Sequence, residues 1–252
     1  MKFSVVTLFP EMVATGASFG ICGRAVRRGL VDLATADPRD LAHDLHRTVD
    51  DRPYGGGPGM VMKVEPCRQA IRRAKAEAPS GSPVIFLSPQ GQRFDQRMAR
   101  GFAGLPGMIL VAGRYEGFDE RLVESEGDME VSLGDFVLSG GEIAALAIID
   151  SVVRLLPDVL GDETSIEAES FTDDLLDFPQ YTRPDSIDGM AVPPVLIEGD
   201  HEKIRRWRLK QALGRTYLRR PDLLDGRPLT DEEQQLLQEY IAEARSEDRL
   251  RH

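Results

Sequence analysis

The stretch Ser132-Leu133-Gly134-Asp135-Phe136-Val137-Leu138-Ser139-Gly140-Gly141-Glu142 decides how the chain is read. It begins at the end of an apolar, β-like run over residues 129–133. It ends where a long apolar segment, residues 143–156, opens. Ser139 and Glu142 stand in S-x-x-E spacing, which predicts a capping box and a helix start. Gly134, Gly140 and Gly141 lack a Cβ and let backbone come close to a ligand. Leu133, Phe136, Val137 and Leu138 supply apolar walls. Two readings follow. One is a loop enclosing a flat, mostly apolar ligand; the other is a strand-to-helix connection with ordinary turn glycines.

Working outward, strand-like and helix-like segments alternate. Residues 3–9 read as a buried strand ended by Pro10. A helix carrying Arg24, Arg27 and Arg28 ends at Gly29, and residues 30–36 form a second strand. Residues 64–78 read as a helix, with Pro66 in its first turn and Pro79 after it. Residues 84–87 form a strand running into the turn-type loop Ser88-Pro89-Gln90-Gly91. A helix (96–102), a strand (108–112), the loop Gly113-Arg114-Tyr115-Glu116-Gly117 and a short helix (118–126) follow. Such alternation predicts an α/β fold with a parallel sheet covered on both faces. In a parallel sheet the loops 87–91, 113–117 and 132–141 all emerge at the carboxyl edge, where open α/β sheets bind ligands. That shared edge favours the ligand-pocket reading.

Tyr54-Gly55-Gly56-Gly57-Pro58-Gly59 cannot hold regular structure. It is neither a Walker loop, since no GK[ST] follows, nor a GxGxxG fingerprint after a strand. It is a linker or a loop that closes on a ligand, with Asp50, Asp51 and Arg52 just before it.

The net charge is −11, which by itself argues against a nucleic-acid partner. The charge is uneven, however. Residues 201–220 carry eight Lys/Arg against one acid, Glu202, whereas residues 158–178 carry eight acids and no Lys or Arg. The acidic run reads as a linker, and the basic run as a helix with Asp200 at its N-cap and Trp207 within it. Thr230 and Glu233 form a second capping box, opening a final helix. The chain after about Gly161 thus reads as a small, mainly helical unit, with an extended stretch at 192–196. No apolar run reaches the roughly 18 residues of a membrane span, and no signal peptide is evident. Cys22 and Cys67 suggest neither zinc nor a disulfide framework, and His43 and His46 read as surface residues. The expected compartment is the cytoplasm.

SLGDFVLSGGE, with YGGGPGM (54–60), LSPQG (87–91), GRYEG (113–117), QYTRP (180–184), VPPVL (192–196) and the RRWRLKQ…LGRT…LRRP run of 205–221, closely resembles the bacterial tRNA (guanine-N1-)-methyltransferases, the TrmD family of the SPOUT class. The resemblance runs from Phe3 to about Leu224. It implies a deep trefoil knot in the α/β domain, which general topology rules would vote against. It implies three parts: an S-adenosyl-L-methionine-binding domain over residues 1–160, a flexible linker over 161–178, and a helical tRNA-binding domain over 179–252. The implied reaction is methylation of N1 of guanosine-37 in tRNA, next to the anticodon, by a homodimer whose active sites are shared between subunits.

The cofactor site carried over by motif comprises Phe86, Leu87, Ser88, Pro89 and Gln90; Gly113, Tyr115, Glu116 and Gly117; and Ser132, Leu133, Gly134, Asp135, Phe136, Val137, Leu138, Gly140 and Gly141. The family's general base, an Asp, matches Glu169, and its catalytic arginine matches Arg154. Asp177, in the same acidic segment, is the rival base. Arg24, Asp50, Gly55, Gly56, Gly57, Asp177, Arg205, Arg208 and Arg215 are expected to contact tRNA. Besides Glu169, Phe136 and Ala144 depart from the family's usual tyrosine and proline. The acids permit Mg²⁺ without defining a site for it.

Overall fold

The computed structural model describes residues 1–160, 169–171 and 173–251, in two compact units that divide the chain at Gly161/Asp162. Half of the segment expected to be a linker, residues 161–168 and Thr172, lies outside the described residues.

In the first unit the strands are β1 (Lys2–Val6), β2 (Asp32–Ala36), β3 (Asp50–Asp51), β4 (Val61–Met62), β5 (Val84–Arg93), β6 (Gly107–Ala112) and β7 (Met129–Ser132). The helices are α1 (Pro10–Gly16), α2 (Gly20–Arg27), α3 (Val64–Glu77), α4 (Gln96–Ala103), α5 (Glu120–Glu126) and α6 (Glu142–Val153). Five strands form one sheet in the order β2-β1-β6-β5-β7, and every pairing in it is parallel. The small antiparallel pair β3-β4 stands apart.

Strand composition explains why the sheet is central. All six residues of β6 are buried, as expected of a strand covered on both faces. Phe3, Val5, Ile85, Leu87, Leu110 and Ala112 face one core, which α6 fills with Ala145, Ile148, Ile149 and Val152. Val6, Val84, Phe86, Ile109 and Val111 face the other, which α3 fills with Cys67, Ala70, Ile71 and Ala74. The period-2 alternation of the strands is thus satisfied by helices on both sides.

Three local expectations are corrected. Pro10 does not merely end a strand; it opens α1, because its fixed φ and missing N–H suit the first helical turn. Ser88-Pro89-Gln90-Gly91 lies within the span of β5, which pairs with β7 up to Leu87, shifts register, and pairs again at Gln92 and Arg93. These residues therefore bulge from a continuing strand. The Ser139–Glu142 capping box does not form either: Gly141 is the N-cap of α6 and no side chain caps it.

In the second unit, helix His201–Arg219 is capped by Asp200, whose carboxylate accepts from the Glu202 and Lys203 amides at 3.1 and 3.2 Å. Helix Asp231–Arg251 opens with the expected box: Glu233 N–H donates to Thr230 Oγ1 (3.2 Å) and Thr230 N–H to Glu233 Oε2 (2.8 Å). Leu175, Ala212, Leu213, Leu236 and Leu237 make a small core. At Gly214 any Cβ would strike the Tyr240 ring, so the missing side chain sets how closely the two helices approach. A short hairpin, β8 (Ser186–Ile187) with β9 (Met190–Ala191), has no counterpart in the expectations. Pro194–Leu196, expected to be extended, forms a 3-10 turn.

Candidate functional site

β5, β6 and β7 are neighbours in the sheet, so the β5 bulge and the segments leaving β6 and β7 gather on one side of it. There they enclose a cleft of about 340 Å³, within the range of small-molecule sites, about 300–1,000 Å³. The chain steps inward from β5 to β6, then outward past β5 to β7, so the cleft sits where the direction of strand addition reverses.

Leu87, Ser88, Pro89 and Gln90 line one side; Gly113, Tyr115, Glu116 and Gly117 a second; and Ser132, Leu133, Gly134, Phe136, Val137, Leu138, Gly140 and Gly141 the third. Two expected cofactor residues lie elsewhere. Phe86 is fully buried one layer below, its ring edge-to-face with Phe118 at 4.9 Å. Asp135 is exposed and does not line the cleft. Arg114 and Ser139, inside the motif loops, and Ala144 also line it, whereas Phe118, Glu120, Val123, Glu130 and Val131 are lining residues that the motifs did not mark. Glu120 and Val123 belong to α5 and Glu130 to β7, elements whose burial pattern in sequence carries no sign of a neighbouring cleft.

Backbone shape matters at this rim. Tyr115 has φ +58° and Gly117 φ +106°, and a non-glycine residue in the left-handed region is uncommon. Ser132 Oγ accepts from Gly134 N–H at 3.1 Å, fixing the first turn of the third loop. Gly140 and Gly141 serve a purpose other than ligand approach. A Cβ on Gly140 would strike the Arg114 side chain, and one on Gly141 would lie 2.8 Å from Ala112 Cα. They permit loop to pack on loop.

Electrostatically the cleft is acidic. Glu116, Glu120 and Glu130 line it, while the Nε of Arg114 is bonded to the fully buried Glu142. Apolar walls, backbone edges and a negative field suit a flat ring carrying a positively charged appendage. Among the described residues, no cluster of three or more His, Cys, Asp or Glu is placed to hold a metal ion. Burial pushes the Cys67 thiol up to about 12; burial and then the Asp150 carboxylate do the same to Cys22. Neither thiol is a nucleophile at neutral pH.

The glycine loop adjoins this site. Glu116 N–H donates to Met60 O and Met62 N–H to Gly117 O, both at 2.9 Å. Gly59 lies against the Glu116 side chain, leaving no room for a Cβ. Gly55, Gly56 and Gly57 have positive φ and open space around them. Asp50 is tied into β3 opposite Met62. Arg24 is on α2, with Nη2 donating to Val159 O at 3.0 Å. Arg154 is the C-cap of α6.

In the second unit the basic run is largely compensated. Lys203 pairs with Glu198 and Asp200, Arg205 with Glu202 and Glu232, Arg206 with Glu232, Lys210 with Glu243 and Arg220 with Asp222. Arg208 lies over the Phe178 ring at 4.8 Å. Arg215 and Arg219 flank a second cleft beside Asp177, Phe178 and Gln180. Trp207 is half-buried, 6.3 Å from the Tyr181 ring. Glu169 is half-buried, and Asp177 is part of a local turn: it accepts from Phe178 N–H (2.7 Å) and Gln180 Nε2 (3.3 Å).

An apolar-walled, backbone-edged cleft at the switch point of a parallel α/β sheet stands where open α/β sheets bind ligands. The chain belongs to the tRNA (Guanine-1)-methyltransferase TrmD family, whose model matches residues 1–226. It is 60% identical over 243 residues to the tRNA (guanine-N(1)-)-methyltransferase of Methylococcus capsulatus, covering 96% of this chain and 97% of that protein. The Tolumonas auensis protein of the same name is 57% identical over 247 residues (98% and 99% covered). That of Hahella chejuensis is 59% identical over 237 residues (94% and 92%).

Proposed function

We propose that this chain is a tRNA (guanine(37)-N1)-methyltransferase that uses S-adenosyl-L-methionine. The observation that carries the reading is the acidic, apolar-walled cleft at the ends of β5, β6 and β7 in a chain of this family. When bound there, S-adenosyl-L-methionine supplies an electrophilic sulfonium methyl. Leu133, Phe136, Val137 and Leu138 would hold the adenosine, backbone groups of 113–117 and 132–141 would bond its edges, and Glu116, Glu120 and Glu130 would favour the cationic end.

The nucleophile needs help, because guanine N1 carries a proton at neutral pH. The Glu169 carboxylate takes that proton as attack proceeds. Negative charge then grows toward O6, where the Arg154 guanidinium stabilises it with paired donors. Asp177, in the same segment as Glu169, is the rival base; its carboxylate accepts from Phe178 N–H and Gln180 Nε2. Arg208, Arg215 and Arg219, the Lys/Arg of helix His201–Arg219 without a carboxylate partner among the described residues, supply phosphate contacts; in the first unit Arg24, Asp50 and Gly55 to Gly57 are the residues expected to contact tRNA.

The reading includes a cytoplasmic homodimer with active sites shared between subunits. Helix α6 is largely apolar apart from Glu142, Asp150 and Ser151, and Ile143 on it is half exposed, as are Phe9 and Met12 of the same unit, with Phe19 more exposed still. It also includes the deep trefoil knot of the SPOUT class, supported by family membership. No described helix is long and apolar enough to cross a membrane.

Transfer of a labelled methyl group to tRNA tests the reading. Label should enter substrate with guanosine at position 37 and not an adenosine variant; equal transfer to both would overturn it. Glu169→Gln should lower turnover by about 100-fold or more, the scale of a lost general base, with cofactor binding near normal. If Asp177→Asn does so instead, the base is Asp177.

A further inference from the structure

We infer that Glu142 is a positioning residue for the methyl-donor site, acting through Arg114 and Thr7; this rests on the cofactor reading above. Glu142 opens α6 but does not cap it. Its side chain turns inward and is fully buried. Oε1 accepts from Thr7 Oγ1 at 2.8 Å and Oε2 from Arg114 Nε at 2.9 Å. Arg114 Nη1 donates to Ser139 O at 3.2 Å, and its guanidinium lies 4.3 Å from the centroid of the Phe9 ring. Thr7 is itself fully buried, and its Oγ1 accepts from Phe9 N–H at 2.9 Å.

One carboxylate therefore joins three segments from separate strand ends: the exit of β1, the loop after β6 and the loop after β7. The last two are also joined by backbone, Gly141 N–H to Gly113 O at 2.8 Å, with a bridge between Arg114 and Gly140. Gly113, Arg114, Tyr115, Ser139, Gly140 and Gly141 all line the cleft. The spacing of its two walls is thus set by a buried ion pair behind them, not by the ligand.

A buried ion pair is a weak source of stability against an apolar replacement, but it specifies one arrangement, because a displaced member is left uncompensated. Replacing Glu142 by Gln keeps the shape and removes the charge that holds Nε. The walls then sample spacings that do not fit the ligand, and apparent affinity falls by the fraction of competent molecules. Chemistry, once the site is filled, is unchanged in kind.

The test compares Glu142→Gln, Thr7→Val and Thr7→Ser with the parent full-length protein. Binding of S-adenosylhomocysteine is measured by calorimetry at a temperature where near-UV circular dichroism shows each variant folded, alongside kcat and donor KM. Glu142→Gln and Thr7→Val should weaken binding and raise KM about tenfold, with kcat at saturating donor within about threefold. Thr7→Ser, which keeps the hydroxyl donor, should match the parent. KM within about twofold of the parent in both Glu142→Gln and Thr7→Val, or a fall in kcat at unchanged KM, would overturn the inference. Thr7→Val decides the matter alone if Glu142→Gln does not fold. A parent protein that neither binds the probe nor transfers methyl would instead overturn the functional reading.

Discussion

Glu142 shows how much can hide behind a correct motif match. Its spacing from Ser139 satisfies the capping pattern, yet burial beside Arg114 and Thr7 offers the carboxylate stronger partners than a helix-end amide. Those partners lie 28 and 135 positions away, and a local pattern cannot register them. Gly59 was legible in the opposite sense. Its place in a glycine run marked a special backbone, and the structure supplies the reason: φ +84° and contact with Glu116. Gly59→Ala is expected to lower stability by about 1–3 kcal/mol through backbone strain alone, and to displace the Glu116 side chain. Urea denaturation measures the first effect and donor affinity the second.

Among the elements, the two S/T-x-x-E boxes make a natural contrast. Thr230 and Glu233 bond reciprocally; Ser139 and Glu142 do not. Thr230→Ala should therefore destabilise the helical unit by about 1 kcal/mol, whereas Ser139→Ala should change the stability of the first unit by less than about 0.5 kcal/mol. Glu233 adds a pH dependence. Burial alone would raise its pKa, but the bonds from Arg227 and Thr230 outweigh that and hold it below its ordinary value. A lowered native pKa means the folded unit binds fewer protons, so this contribution is full above the ordinary Glu range and fades as pH falls through it. Thermal melts of the Glu233→Gln variant should accordingly show a shallower acid-side slope than the parent. Element existence was largely readable, since apolar runs, Pro10, Pro66 and Gly29 punctuate the chain. The continuation of β5 through Ser88-Pro89-Gln90-Gly91 was not, because a bulge is imposed by the partner strand.

At the scale of the whole molecule, the uneven charge matches a chain of two units but overstated the free positive charge. Lys203, Arg205, Arg206, Lys210 and Arg220 of the basic run are all paired with acids, and most of those acids (Glu198, Asp222, Glu232, Glu243) lie outside the run or on another element. A homodimer held through α6 should elute at twice the chain mass by light scattering, and Ile143→Glu, which puts a charge on that apolar face, should shift it toward monomer. The first unit has two extensive cores and the second a core of five buried apolar residues among those described. Calorimetric unfolding should show the smaller unit melting first, with S-adenosylhomocysteine raising the other transition alone. Leu175 is buried in that smaller core and Leu176 N–H donates to Thr216 Oγ1 at 2.9 Å, while Asp177 N–H donates to Ser170 Oγ at 2.9 Å. The stretch from Glu169 onward is therefore anchored to the helical body like a tool bolted to a hand. In the proposed reaction, whatever seats that body on its RNA also sets where the proton acceptor arrives, so capture of the right substrate and readiness for transfer become a single mechanical event.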